Sequence, residues 1–130
     1  RVEIITDTFG RDEYKSFIKS YDINLAPSKF EGYGLTLLES LYCRVPTITL
    51  DASPMNEIIK HNENGLCIPC LKIDQINNQP IYQVEEKVFL DNFTLLVKNK
   101  ELINQFKKNS SLYLGALIKT FKNDIEDVLA

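Results

Sequence analysis

Short apolar runs alternate with amphipathic segments over the first 70 residues, and this alternation restricts the fold more than any other feature. The apolar runs, which are typical of buried strands, are residues 2–5, 22–26, 46–50 and 66–68. Residues 11–20 and 35–43 lie between them and carry apolar side chains at helical spacing. Strands that alternate with helices at such intervals form βαβ units with right-handed crossovers. The sequence therefore predicts an α/β fold, with a parallel sheet and helices on both faces.

The chain changes character after residue 70. Residues 71–83 are rich in Asn, Gln and Asp and include Pro80, so they predict a polar loop. Apolar residues then recur at helical spacing over residues 84–98 and from residue 101 to about 129. We therefore predict one domain over residues 1–130, with an α/β core over 1–70 and terminal helices over 84–130.

Composition excludes several classes of protein. A chain of 130 residues with 44% apolar residues can bury a sizeable core as a single domain. The net charge of −3 argues against a partner that is a nucleic acid or an anionic membrane surface. No apolar run approaches the roughly 18 residues of a membrane span, and no signal-peptide pattern opens the chain. The first residue is Arg1 and the next residues predict a strand, so we expect a piece of a longer protein.

The cysteines predict free, reduced thiols. There are three of them, too few for a disulfide scaffold. Cys67 and Cys70 form a C-x-x-C motif, but a zinc site needs four converging ligands and usually a second close pair. We expect no metal site here.

The segment that indicates chemistry is residues 27–39, where a predicted strand ends and a predicted helix begins. Ligands of open α/β sheets bind at the carboxyl ends of the strands. Gly32 and Gly34 allow a bend and a close approach of the backbone to a ligand. The backbone amides of Gly34, Leu35 and Thr36 would then point out of the helix, and together with the helix dipole they favour an anion such as phosphate.

Two carboxylates flank this helix start. Glu31 lies in the loop, and Glu39 lies one turn into the helix. Helical spacing groups the helix residues into a narrow polar stripe (Thr36, Glu39, Ser40, Cys43) and a broad apolar face (Leu35, Leu38, Leu41, Tyr42). Glu39 is thus a lone acid on a helix that is predicted to be largely buried. A buried carboxylate needs hydrogen-bond donors, and the two hydroxyls of a vicinal diol meet that need. The pattern indicates a nucleotide-sugar site; the alternative is a tight turn with Glu39 on a solvated edge.

Asp22 to Glu39 resembles the carboxylate-pair signature of GT-B glycosyltransferases, in which seven residues separate two Glu. It is most similar to the retaining glycosyltransferase family 4, also called group 1. The similarity continues through residues 45–48, 54–59 and 64–66, so it covers residues 1–70 well and the terminal helices loosely. It implies part of a GT-B C-terminal domain, which is a Rossmann-like, donor-binding domain.

The resemblance implies roles for individual residues. Glu31 would be the catalytic residue and contact hydroxyls of the donor sugar, and Glu39 would hold the ribose diol. The backbone from Gly32 to Leu35 would bind the donor phosphates. Three further residues would belong to the donor site: Ser28, Tyr33, which stacks on the donor or caps the loop, and Thr36. Residues 51–54 read Asp-Ala-Ser-Pro where many relatives carry a Gly-rich turn, so a donor contact from that loop is in doubt.

The resemblance also implies an activity, namely transfer of a sugar from a UDP- or GDP-sugar to an acceptor hydroxyl with retention, without a metal or other cofactor. A preceding N-terminal domain would bind most of the acceptor, which is a glycan, lipid or protein. The Arg and Lys that grip the phosphates in relatives lie upstream of Val2, so we expect the isolated chain to be inactive. The expected location is the cytoplasm. The alternatives are a sugar-nucleotide epimerase of the same fold and a non-catalytic sugar-nucleotide-binding module.

Overall fold

The computed structural model describes residues 4–129, and side chains over residues 4–123. Five helices and five strands make up this part of the chain. Their bounds are α1 (Arg11–Lys19), β1 (Asn24–Ala26), α2 (Leu35–Cys43), β2 (Thr47–Leu50), α3 (Met55–Ile58), β3 (Gly65–Ile68), β4 (Leu71–Ile76), β5 (Gln79–Gln83), α4 (Glu86–Lys98) and α5 (Lys100–Leu129). None of the helices within residues 4–129 has the length and apolarity that crossing a membrane requires.

The three strands β1, β2 and β3 form a parallel sheet in that order. Asn24 pairs with Thr47 at one side of β2, and Thr47 pairs with Gly65 at the other. All four residues of β2 are buried, as expected for a central strand that is covered on both faces. The prediction of a parallel sheet inside an α/β core is confirmed.

Two apolar clusters cover the two faces of this sheet. One contains Leu37 of α2 and Met55 of α3, together with Leu50 and Cys67. The other packs β2 and β3 against α4 and α5; its buried members are Ile48, Leu66, Ile68, Leu96, Ile103 and Phe106. The side chains of β3 alternate between the clusters because successive residues of a strand point to opposite faces. The predicted helices on both faces are therefore present.

Helix α2 spans the predicted residues, but its buried face differs from the predicted one. Leu35 and Tyr42 are exposed, although the apolar stripe placed them inside. Ser40 and Cys43, assigned to the polar stripe, are buried. Ser40 is accommodated because its hydroxyl donates to the Thr36 carbonyl and accepts from the Asn24 amide, so its burial leaves no polar group unpaired.

Two local predictions differ from the structure. The strand predicted for residues 2–5 falls partly outside the described residues, and Ile4 and Ile5 form no strand. Ile4 is 86% exposed, and the parallel sheet of the described residues contains only β1, β2 and β3. The helix expected to open at Ser53-Pro54 begins at Met55, with Pro54 at the N-cap, and the Ser53 hydroxyl bonds the Glu57 carboxylate.

The polar loop predicted over residues 71–83 is wrong, because these residues form an antiparallel hairpin of β4 and β5. Asn77 and Asn78 connect the strands with φ angles of 50° and 65°. Positive φ at both central residues is what a two-residue hairpin turn requires, and Asn tolerates it. Every residue of β4 is exposed, so no alternation of buried and exposed side chains distinguishes this strand from a loop.

Candidate functional site

The β1–α2 loop, residues 27–34, leaves the carboxyl end of β1 and ends at Gly34, the N-cap of α2. Gly34 has a φ of 73°, in the left-handed region that favours glycine. A Cβ built at this position would lie 2.6 Å from Ile58 Cδ1 and 3.3 Å from Leu37 Cδ1. Both the backbone conformation and the close approach of α3 therefore require glycine here.

Glu31 folds back onto the start of α2. Its Oε1 accepts a hydrogen bond of 3.0 Å from the Gly34 amide. Gly34 N–H, which we predicted to face a ligand, thus donates to a side chain of the protein itself. The amides of Leu35 and Thr36, the first two helical residues, have no acceptor inside the helix because the helical pattern leaves the first amides unbonded. These two amides lie at the positive end of the helix dipole, where they could donate to an anion, and the Glu31 carboxylate caps the same helix start.

Gly32 is an exposed residue of the same loop. A Cβ placed here would meet no atom within 4 Å, and its φ is not in the positive range. Nothing in the fold therefore requires glycine at residue 32. The missing side chain leaves the backbone open to a ligand that approaches from outside.

Glu39 is half-buried and faces α1. Its Oε2 accepts a hydrogen bond of 3.2 Å from the Tyr14 hydroxyl. The carboxylate lines a cavity of about 640 Å³ between α1 and α2, together with Phe9 and Leu35. The cavity is large enough for a nucleoside and presents the mix of apolar wall and few polar groups that small-molecule sites have.

The cavity beside Glu39 is lined by charged groups of both signs. Arg11 and Lys15, one turn apart on α1, line the same cavity. The pKa of Tyr14 is raised, first by burial and then by the neighbouring Glu39 carboxylate. Tyr14 therefore stays protonated at neutral pH and remains a hydrogen-bond donor.

The remaining predicted site residues lie around these two carboxylates. Ser28 is half-buried in the β1–α2 loop. Tyr33 is 73% exposed and Leu35 is 62% exposed, so both are accessible to a ligand. Thr36 is exposed and lines a smaller cavity of about 180 Å³ beside α1. The predicted residues are therefore distributed around α2: Leu35 and Glu39 line the larger cavity, Thr36 lines the smaller one, and Gly32 and Tyr33 line a third cavity beside α3 and α5.

The contribution of α1 to this cavity was not predicted from the sequence. Arg11, Tyr14 and Lys15 share one face of that helix through three- and four-residue spacing, which is visible in the sequence. Nothing in the spacing indicates that this face lies against Glu39, because the docking of α1 on α2 is a tertiary contact.

Metal-binding and disulfide chemistry find no support in the described part of the chain. Among those residues, no group of three or more His, Cys, Asp or Glu side chains is arranged to hold a metal ion. All three cysteines are free, as predicted. The Cys67 thiol bonds the Ile59 carbonyl, and His61 accepts from the Cys67 amide, so both side chains serve the turn before β3.

The family model described as "Glycosyl transferases group 1" matches residues 4–112, most of the chain. The chain belongs to the group 1 glycosyltransferase family. The match runs from before α1 into α5, so it includes the β1–α2 loop and both carboxylates.

Two named glycosyltransferase proteins are similar in sequence to this chain. An O-antigen biosynthesis glycosyltransferase, WclY of Escherichia coli, is 33% identical over 94 residues, 64% of this chain and 26% of that protein. The GtfA subunit of a Streptococcus agalactiae UDP-N-acetylglucosamine–peptide N-acetylglucosaminyltransferase is 39% identical over 61 residues, 46% of this chain and 12% of that subunit. This chain therefore matches 12% and 26% of the length of these two relatives.

A solved structure shares the fold. It is the C-terminal domain of a glycosyl transferase group 1 family protein, LpcC of Francisella tularensis, with a TM-score of 0.64 and 22% identity. The similarity covers 88% of this chain and 51% of that domain. At this identity it supports the GT-B C-terminal fold and does not bear on the substrate.

Proposed function

We propose that this chain supplies the nucleotide-sugar-binding part of a retaining glycosyltransferase. One observation carries the proposal: Glu31 and Glu39 lie on either side of the first turn of α2, and unbonded amides of Leu35 and Thr36 lie between them. Family membership supports the general activity. The donor, the stereochemistry and the residue roles are our inferences from this arrangement.

The proposed donor pose follows the order of these groups. The nucleoside occupies the cavity between α1 and α2, where Glu39 accepts hydrogen bonds from the two ribose hydroxyls. The diphosphate lies on the amides of Leu35 and Thr36, near the positive end of the helix dipole. The sugar then lies over the β1–α2 loop within reach of Glu31, and the free space around Gly32 leaves room for it.

The proposed reaction exchanges one bond at the anomeric carbon. The bond to the diphosphate oxygen breaks, a bond to the acceptor oxygen forms on the same face of the sugar, and the hydroxyl proton is released. Negative charge grows on the diphosphate as its bond breaks, and preorganised amides aimed at that charge stabilise it. Positive charge grows on the sugar, as in glycoside hydrolysis, and the Glu31 carboxylate is the nearby group of opposite charge.

The remaining parts of the proposal concern partners and surroundings. The acceptor is a hydroxyl of a glycan, lipid or protein that is bound mainly outside residues 1–130. The reaction needs no metal and takes place in the cytoplasm. UDP-N-acetylglucosamine is the first donor to test, because the name of the Streptococcus agalactiae relative contains it.

Calorimetric titration of the intact protein separates the roles of the two carboxylates. We expect Glu39→Gln to weaken UDP or GDP binding about ten- to hundredfold, the effect of losing hydrogen bonds to a charged group. Glu31→Gln should leave binding of the bare nucleotide unchanged and weaken binding of the nucleotide sugar. In both variants the new amide oxygen can still accept from Tyr14 or from the Gly34 amide, which keeps the local structure.

Glu101→Gln, at an exposed position of α5, is the matched control and should bind like the parent. If Glu39→Gln and Glu31→Gln both bind nucleotides and nucleotide sugars like this control, the assigned site is wrong.

An activity assay separates the three candidate functions. Release of UDP or GDP that depends on an added acceptor supports sugar transfer. Interconversion of a free nucleotide sugar without an acceptor would indicate an epimerase, and binding without any turnover would indicate a non-catalytic module. Retention is checked by the anomeric configuration of the product in an NMR spectrum.

A further inference from the structure

The β4–β5 hairpin is joined to the β1–α2 loop by a backbone hydrogen bond. The Tyr82 amide donates to the Lys29 carbonyl at 2.9 Å. Lys29 lies two residues before Glu31 in the chain. Among the hydrogen bonds of the described residues, it is the one that links the backbone of residues 27–33 to an element distant in sequence.

The amide of Tyr82 is available because of the hairpin register. Ile76 pairs with Gln79 next to the two-residue turn, so Gln79, Ile81 and Gln83 direct their backbone groups toward β4. The amide positions of Pro80 and Tyr82 point away from β4. Proline is tolerated at such outward positions because the strand ladder does not use their amides. Tyr82 therefore donates to the loop without disturbing the hairpin.

Of the two hairpin strands, β5 contacts the rest of the molecule and β4 is exposed. The hairpin is a sheet of its own that does not pair with β1–β3. β4 is exposed throughout, whereas the half-buried Tyr82 ring packs against the cluster that contains Leu50. Tyr82 and Lys29 also line one cavity of about 350 Å³ at the carboxyl ends of β1 and β2. An isolated two-stranded hairpin is marginally stable, so this docked side determines where the hairpin lies.

We propose that the hairpin is a positioning element for the β1–α2 loop, with Tyr82 as the positioning residue. The proposal rests on the donor-binding function proposed above. The hydrogen bond to Lys29 holds the start of the loop, and the Glu31 contact with Gly34 holds its end. A loop ordered before the donor arrives loses less conformational entropy on binding, so the sugar-contacting carboxylate is already in place.

The test compares two proline substitutions in the intact protein. Tyr82→Pro removes the amide that donates to Lys29, at a position whose amide the ladder does not use, and it also removes the ring that packs against the cluster containing Leu50. Tyr82→Ala removes the ring and keeps the amide, so the loss that Tyr82→Pro shows beyond Tyr82→Ala belongs to the hydrogen bond. Gln75→Pro is the matched control: this exposed residue lies on β4 opposite Pro80, and its amide bonds the neighbouring Asp74 carboxylate. We expect Tyr82→Pro to weaken nucleotide-sugar binding about five- to tenfold, the effect of one lost hydrogen bond. Binding of the bare nucleotide should stay within about twofold, and Gln75→Pro should match the parent in both titrations.

A second measurement keeps the proposal falsifiable if Tyr82→Pro is less stable. Hydrogen exchange should become faster at the Gly34 amide in Tyr82→Pro and stay unchanged in Gln75→Pro. Equal loss of nucleotide and nucleotide-sugar binding in Tyr82→Pro would overturn the proposal, because it would indicate a general loss of structure. Unchanged nucleotide-sugar binding in Tyr82→Pro would also overturn it. The proposed donor site is tested separately, by the binding measurements on Glu31→Gln and Glu39→Gln.

Discussion

Replacement of Gly34 by alanine tests whether the start of α2 is built around a missing side chain. The substitution adds a Cβ at a φ of 73°. A non-glycine residue in the left-handed region costs about 1–2 kcal/mol. The new Cβ also lies 2.6 Å from Ile58 Cδ1, and overpacking of this kind costs about 1–3 kcal/mol. We expect Gly34→Ala to lower the free energy of unfolding by about 2–5 kcal/mol.

Two further variants divide this cost into its parts. Gly32→Ala is the control, because its Cβ meets no atom within 4 Å, and should change the free energy of unfolding by less than about 0.5 kcal/mol. Ile58→Val removes the Cδ1 atom that the new Cβ would contact. The double variant Gly34→Ala, Ile58→Val should therefore be more stable than the sum of the single effects predicts, by about 1 kcal/mol or more. The part that remains belongs to the backbone conformation.

Urea unfolding followed by circular dichroism measures these differences. With a slope of about 1.5 kcal/mol per M, Gly34→Ala should lower the midpoint by about 1 to 3 M. A midpoint for Gly34→Ala equal to that of Gly32→Ala would refute the reasoning. Additive effects of Gly34→Ala and Ile58→Val would place the whole cost in the backbone and refute the steric part.

Three other predictions concern the thiols, the docking of α5 and metals. Burial, followed by the charge of Asp51, raises the pKa of Cys67 to about 11, so about one thiol in a thousand is ionised at pH 8. Mass spectrometry after brief alkylation at that pH should find Cys67 unmodified, and rapid labelling would contradict its burial. Tyr113→Phe removes a 2.8 Å bond to the Glu57 carbonyl and should lower the unfolding free energy by about 1 kcal/mol; an unchanged urea midpoint would show that α5 does not need it. Excess EDTA should leave sugar transfer unchanged, and loss of activity that Mg²⁺ restores would disprove metal independence.

Helix α2 and strand β2 of the α/β core were predictable because they carry local signals. α2 spans residues 35–43 as predicted, because Gly34 permits the left-handed N-cap that opens the helix. β2 was predictable from its β-branched residues, which suit a strand buried on both faces. These signals depend on neighbours in the chain and need no knowledge of the fold.

The hairpin and the buried face of α2 were not predictable in the same way. β4 is exposed at every position, so no alternation of buried and exposed residues marks it as a strand. Ser40 is buried because Asn24 of a neighbouring strand supplies its partner, which helical spacing does not reveal. In both cases the outcome depends on which element packs where.

The surroundings of the two carboxylates were likewise predictable in part. The sequence by itself determined that Glu31 and Glu39 flank the start of a helix that follows a strand, because loop and helix signals are local. Tertiary structure alone decided that Glu39 on α2 meets Tyr14 on α1 and that the hairpin residue Tyr82 bonds Lys29. The first contact joins residues 25 positions apart, and the second joins residues 53 positions apart. Contacts at such separations exist because the packed sheet brings the elements together, and spacing along the chain carries no record of them.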